Sequence, residues 1–97
     1  MNHVVYILQS KKLNLYYIGY TSNIDLRLEF HKNSPSYKFT ANANDWILFL
    51  SFNCEHKTQA LSIEKHIKNM KSKTYIENLA RYPEIIDKLI AKYKIEC

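Results

Sequence analysis

Gly19 is the single glycine of a 97-residue chain, and it stands inside Tyr16-Tyr17-Ile18-Gly19-Tyr20-Thr21, a run of strand-forming residues. Glycine weakens a strand, so in this setting it marks a bulge or a place where another backbone or a ligand must come close to the main chain. Three tyrosines surround it, and Arg27 and His31 follow shortly after. The densest cluster of reactive groups thus lies beside the one position without a side chain, and this stretch is the first candidate for a functional site.

The pattern around it sets the expected fold. Val4-Val5-Tyr6-Ile7-Leu8 is β-branched and aromatic and reads as a strand. Residues 9–14 are polar and turn-like, and the apolar character returns at Leu15-Tyr16-Tyr17-Ile18, which suggests an antiparallel hairpin. From Ile24 to His31 apolar and polar residues alternate strictly, the period of a strand. Against that, Ser22 or Asn23 can cap a helix, Asp25 suits a first turn, and Leu, Arg and Glu favour helix. The helix is the reading adopted, and it places Ile24, Arg27, Leu28 and His31 along one stripe.

Residues 33–36 and 42–45 have loop composition. Trp46-Ile47-Leu48-Phe49-Leu50-Ser51-Phe52 is nearly unbroken apolar sequence, so it is expected to be a central strand covered on both faces. From Thr58 the period becomes helical, with Ala60, Ile63, Ile67 and Met70 on one face to about Lys71. Thr74-x-x-Glu77 resembles a capping box opening a short helix. Tyr82, Ile85, Ile86, Leu89, Ile90 and Tyr93 form a further helical stripe over about 82–94, with Pro83 in its first turn. The expectation is one α/β (α+β) domain over 1–97. It has a small three-stranded, mainly antiparallel sheet flanked by helices, in the order β-β-α-β and then two or three helices.

Composition narrows the function classes. With 46% apolar and 13% aromatic residues the chain can bury a core, which excludes a disordered segment. It has no apolar stretch of membrane-spanning length, and its N-terminus lacks the features of a signal peptide, so a cytoplasmic protein without membrane contact is expected. Cys54 and Cys97 have no metal-ligand spacing and read as a buried and a terminal thiol. Fourteen basic residues against nine acidic ones give a formal charge of +5, compatible with a nucleic-acid partner.

Taken in order, these residues resemble the GIY-YIG nuclease domain family. Val4-Val5-Tyr6 stands at the first motif, and Tyr17-Ile18-Gly19 matches the second, with ten residues between Tyr6 and Tyr17. Thr21-x-Asn23-Ile24-x-x-Arg27-Leu28-x-x-x-His31 follows as the family's arginine helix does. Glu64, within Ala60-Leu61-x-Ile63-Glu64-x-x-Ile67-Lys68, fits its metal-binding glutamate. The match runs from about residue 3 to 79 and is most similar to the short, stand-alone bacterial members. It departs at Val4-Val5, where the family carries Gly-Ile. The family's late asparagine is matched only loosely by Asn78.

The resemblance implies a divalent-metal-dependent endonuclease cutting DNA, of use in repair or recombination. Phosphodiester hydrolysis needs a positioned water, a group to take its proton, and positive charge on the phosphate oxygens. Glu64 would hold Mg²⁺ or another divalent cation such as Mn²⁺, which needs few protein ligands. By spacing alone, Glu64 would instead pair with Lys68 at i,i+4. Arg27 could be a surface residue paired with Glu29 or Asp25, but the resemblance implies that its planar fork binds the scissile phosphate, and that role is the one adopted. Tyr6 and Tyr17 could be amphipathic core residues; the family implies that one of them activates the water, which requires nearby cations to lower a phenol pKa near 10. His31 would assist. Lys65, Lys68 and Lys71 would contact nucleic acid, with Lys73 as a further phosphate contact and Lys11, Lys12, Lys32 and Lys38 farther out. His3, His56 and His66 receive no role. The alternative is a nucleic-acid-binding module, or one recruited by a protein partner that supplies target specificity, with little or no turnover.

Overall fold

The structure is a computed structural model that describes residues 2–32 and 45–94, with residues 30–32 described in their backbone alone. Seven elements follow in order: β1 (His3–Ser10), β2 (Leu15–Thr21), α1 (Ile24–Lys32), β3 (Ile47–Cys54), α2 (Lys57–Met70), α3 (Lys73–Arg81) and α4 (Glu84–Lys92). The sheet is antiparallel throughout, with strand order β2-β1-β3. The α+β architecture and element order are those expected from the sequence.

The central strand is β1 and not the Trp46–Phe52 run. Val4, Val5, Tyr6, Ile7 and Leu8 are five consecutive buried residues, at 0–4% exposure, so both faces of β1 are covered. Among the described residues β3 pairs only with β1, and its Ile47 and Leu48 are 53% and 41% exposed. The apolar run correctly marks a strand. Its length does not make it central, because the shorter run at β1 is the one that two layers press against.

One layer is α2, α3 and α4, which pack Ala60, Ile63, Ile67, Ile76, Leu79, Ile86 and Leu89 against Val5 and Ile7. Full burial of the valine, isoleucine and leucine side chains stabilises by about 1.5–3 kcal/mol each. The other face of β1 carries Val4, Tyr6 and Leu8, which meet Ile24 and Leu28 of α1 together with Tyr17 and Trp46. The even and odd residues of one strand thus serve two separate cores.

The helix ends bear out one expectation and correct two. α1 is a helix as adopted, and its cap is Asn23, whose Oδ1 accepts the Leu26 N–H at 3.1 Å. α3 is capped by Ser72, which accepts the Tyr75 N–H at 3.1 Å. Thr74 therefore lies inside the helix, since an N-cap oxygen must sit before the first turn, where the amides are unpaired. The stripe over 82–94 is shorter as a helix, because Tyr82 closes α3 by donating its N–H to Asn78 O and Pro83 stands as the N-cap of α4. In the hairpin, Asn14 takes a left-handed φ of 54° and closes the Lys11–Asn14 turn without glycine. The loop readings over 33–44 lie outside the described residues.

Candidate active site around Tyr6

Tyr6 is the focus of the site. It is 1% exposed, and its antiparallel partner on β2 is Gly19. Directly opposed residues of an antiparallel pair point to the same face. At Gly19 that face is taken by the Tyr6 ring: a Cβ built there would stand 2.5 Å from Tyr6 Oη and 2.6 Å from Cζ. The glycine therefore makes room for the phenol, so what comes close to the main chain here is the Tyr6 ring.

Tyr17 lies diagonally across the hairpin, its ring centroid 6.3 Å from that of Tyr6 and the planes at 35°. A hydrogen bond joins the two side chains. Arg27, half-buried on α1, acts on the Tyr6 phenol electrostatically, and so does Glu64, which comes from α2 in the opposite layer. Burial is the largest influence on that phenol and pushes its pKa well above the ordinary 10.0. Tyr17 and Glu64 push it the same way, and the Arg27 guanidinium opposes them without prevailing. The chain's own groups thus raise the Tyr6 phenol and hold it neutral, where a tyrosine base would require it lowered. Tyr17, Arg27 and Glu64 thus all lie within electrostatic reach of the Tyr6 phenol. His31 lies on α1 one turn beyond Arg27, and its side chain is outside the described residues.

Local capping aims α1. Thr21, buried at the end of β2, accepts the Asn23 N–H and donates to Asn23 O, both at 3.1 Å, and Asn23 in turn caps the helix. Thr21, Ser22, Asn23, Leu26 and Arg27 line a hollow of about 290 Å³ beside the arginine.

Glu64 is 18% exposed, and its Oε1 accepts from Lys68 Nζ at 3.3 Å, the i,i+4 pair that spacing alone foresees. Among the described residues, no three His, Cys, Asp or Glu side chains assemble as a metal cage. The donor set nevertheless fits Mg²⁺: a single, largely buried carboxylate offers the hard oxygen that this ion takes, with water and phosphate oxygens completing its shell.

The lysines divide. Lys68, Lys71 and Lys73 line one groove between β2, α2 and α3, whereas Lys65 lines a different hollow with Ser62, His66 and Tyr93 beside α4. A step of one residue turns the helix by about 100°, so Lys65 cannot share the stripe of Glu64 and Lys68, while Lys71 is the left-handed residue that ends α2. Asn78 sits half-buried in α3. Lys11 and Lys12 belong to the hairpin turn, and the side chains of Lys32 and Lys38, like Cys97, lie outside the described residues.

Two supporting residues escape the hydrophobic pattern because both are polar. Gln59, 1% exposed, accepts the Glu55 N–H at 2.7 Å and donates to Ile90 O at 2.8 Å, which ties α2 to α4. Asp45 accepts from Ser10 Oγ at 2.7 Å and from the Lys12 N–H at 2.8 Å, and the Ser10 bond leads in holding its carboxyl below the usual range. His66 Nδ1 lies 2.8 Å from Tyr93 Oη and packs among aromatic rings, a structural contact.

Among known proteins, the chain is 32% identical over 97 residues to a UPF0213 protein of Lactococcus lactis subsp. cremoris, covering 95% of this chain and 97% of that one. It is 31% identical over 70 residues to a UPF0213 protein of Halalkalibacterium halodurans, covering 72% and 73% of the two chains. The solution NMR structure of a UPF0213 protein from Bacillus halodurans superimposes with a TM-score of 0.53 at 31% identity over 84% of each chain. The GIY-YIG catalytic domain matches residues 2–77, which takes in both tyrosine motifs, the arginine helix and Glu64. The chain belongs to the GIY-YIG catalytic domain family, as a relative of the small UPF0213 proteins.

Proposed function

We propose that this domain is a divalent-metal-dependent endonuclease that hydrolyses DNA phosphodiester bonds. The observation that carries the reading is the convergence on one phenol: Tyr17, Arg27 and Glu64, from β2, α1 and α2, all act on Tyr6. Glu64 would hold the cation. When bound, such an ion supplies positive charge to the phosphate oxygens and orients water. Arg27 sets its fork on the non-bridging oxygens, where a bidentate cation is worth more than a point charge. Tyr6, kept neutral, can take the proton of the attacking water only as it passes its own proton on, and Tyr17 is the hydrogen-bonded group in line to receive it while releasing its own hydroxyl proton. His31, one turn after Arg27, is the further candidate for carrying that proton to solvent.

The raised phenol pKa also favours a second reading, a nucleic-acid-binding module with little turnover, because a neutral buried phenol is a poor base. The deciding experiment is nicking of branched, flapped and plain duplex DNA, with and without Mg²⁺, by wild type and Glu64→Ala. Metal-dependent cutting that Glu64→Ala abolishes supports the endonuclease. Salt-dependent DNA binding without any cutting hands the site to the binding module.

A further inference from the structure

A groove of about 240 Å³ runs between β2, α2 and α3, on the helix-bundle side of the sheet. Tyr16, Ile18 and Ile76 line it together with Lys68, Lys71 and Lys73. Its chemistry is double: aromatic and aliphatic groups, and three ammonium groups on exposed or half-exposed stems. Two carboxylates face the same region. Glu64 is taken up by Lys68 at 3.3 Å, and Glu77 lies 3.5 Å from the Tyr16 hydroxyl. Among the described residues, Lys71 and Lys73 enter no ion pair, so the groove keeps a positive balance.

We propose that this groove is a subsite for single-stranded nucleic acid, holding the strand that continues from the phosphate at Glu64. Its link to cleavage rests on the nuclease reading above; its binding does not. The lysines alone would suit any phosphate backbone. The apolar lining discriminates: a duplex buries its base faces in its own stack and would set charged phosphates against Tyr16 and Ile18, whereas an unstacked base offers those side chains a matching apolar face. Tyr16 is well held for that purpose. Its hydroxyl receives a bond from Gln9 at 3.2 Å and its ring meets Phe49 edge-on at 5.2 Å, so little ordering is left to be lost on binding. Glu64 and Lys68 stand one turn apart on α2, and Lys71, the left-handed residue that ends that helix, lines the groove with Lys68, which gives the strand a path from the proposed cation to the groove.

The test is fluorescence anisotropy of the whole chain in metal-free, chelator-containing buffer, with a short oligothymidylate and a mixed-sequence duplex of the same length. Wild type is expected to bind the single strand at least about fivefold more tightly, the lower end of what stacking one base provides. Lys71→Ala/Lys73→Ala is expected to weaken single-strand binding by about tenfold and to flatten its salt slope by roughly 1.4, about 0.7 for each phosphate released. Tyr16→Leu, which keeps apolar bulk and loses the aromatic face, should weaken the single strand and leave the duplex unchanged. Lys57→Ala/Lys88→Ala matches the charge change elsewhere, and thermal melts establish that each variant folds. Equal affinity for the two probes, or groove variants that lose no more than the charge-matched control, overturns the proposal. Because no metal is present, these outcomes are independent of whether wild type nicks DNA with Mg²⁺, where failure would sink the nuclease reading alone.

Discussion

The Tyr6 ring occupies the space of the side chain that Gly19 lacks, within 2.6 Å at Cζ of where a Cβ would stand. An alanine there cannot be absorbed by swinging the phenol away, because Tyr6 is 1% exposed and packed with Val4, Leu8, Ile24 and Leu28. Gly19→Ala is expected to destabilise by about 1–3 kcal/mol, the range for overpacking a filled core. Urea denaturation checks this. In a Tyr6→Ala background the same substitution should cost far less, and a full penalty there would mean that the strain arises in the β2 backbone instead.

That pairing explains how much could be read without a structure. A glycine among strand formers announces a close approach, but what approaches depends on cross-strand register, and register is fixed by pairs such as Tyr6 with Gly19 that the chain does not print locally. Element type was legible wherever the apolar period was strong, as in α2. The alternating Ile24–His31 segment was decided by Asn23, whose cap outweighs the strand period. The strand order was not legible, since the apolar run of β3 is longer than the buried run of β1 while only β1 is enclosed on both sides. The convergence of Glu64 with the tyrosines depends on α2 crossing the sheet, a contact between residues far apart in sequence.

Alkaline instability should begin with Cys54. Burial pushes its thiol from 9.0 up to about 11, so the folded state holds a proton that the unfolded chain gives up. The stabilisation is complete below pH 9 and is lost as pH rises toward 11. Tyr6, raised from 10.0 by burial, adds a second loss that starts above pH 10. Melting temperature measured across pH 8 to 11 should fall less steeply for Cys54→Ala than for wild type. Parallel curves would refute the assignment. In a Cys97→Ser background, alkylation of Cys54 at pH 8 should be slow, because the thiolate is the reactive form.

Gln59→Leu keeps the volume and removes both hydrogen bonds, leaving the Glu55 N–H and Ile90 C=O without their partner. A buried unsatisfied group costs about 1–3 kcal/mol, so the loss should exceed that of a surface substitution severalfold. Native-state hydrogen exchange should show the effect first in α4, which this side chain ties down. Uniform loosening of the whole chain would argue that Gln59 serves the core at large.

Glu64 and Lys68 separate stability from activity most cleanly. Their ion pair is an i,i+4 contact with Lys68 half exposed, worth roughly 0.2–0.5 kcal/mol, so Glu64→Ala should barely move the denaturation midpoint. If Glu64 holds the cation, the same substitution removes the carboxylate that binds it and should lower Mg²⁺-dependent nicking by about 10²-fold or more. Lys68→Ala frees the carboxylate from its competing ammonium and should lower the Mg²⁺ concentration needed for half-maximal nicking, even as it weakens DNA binding. Arg27→Lys keeps the charge but loses the fork, and should fall between wild type and Arg27→Ala. The assignment depends on the pairing of these results. A Glu64→Ala variant that folds, binds DNA and still cuts at the wild-type rate would return the residue to its surface ion pair and leave Tyr6, Tyr17 and Arg27 as a phosphate-binding site without a cation.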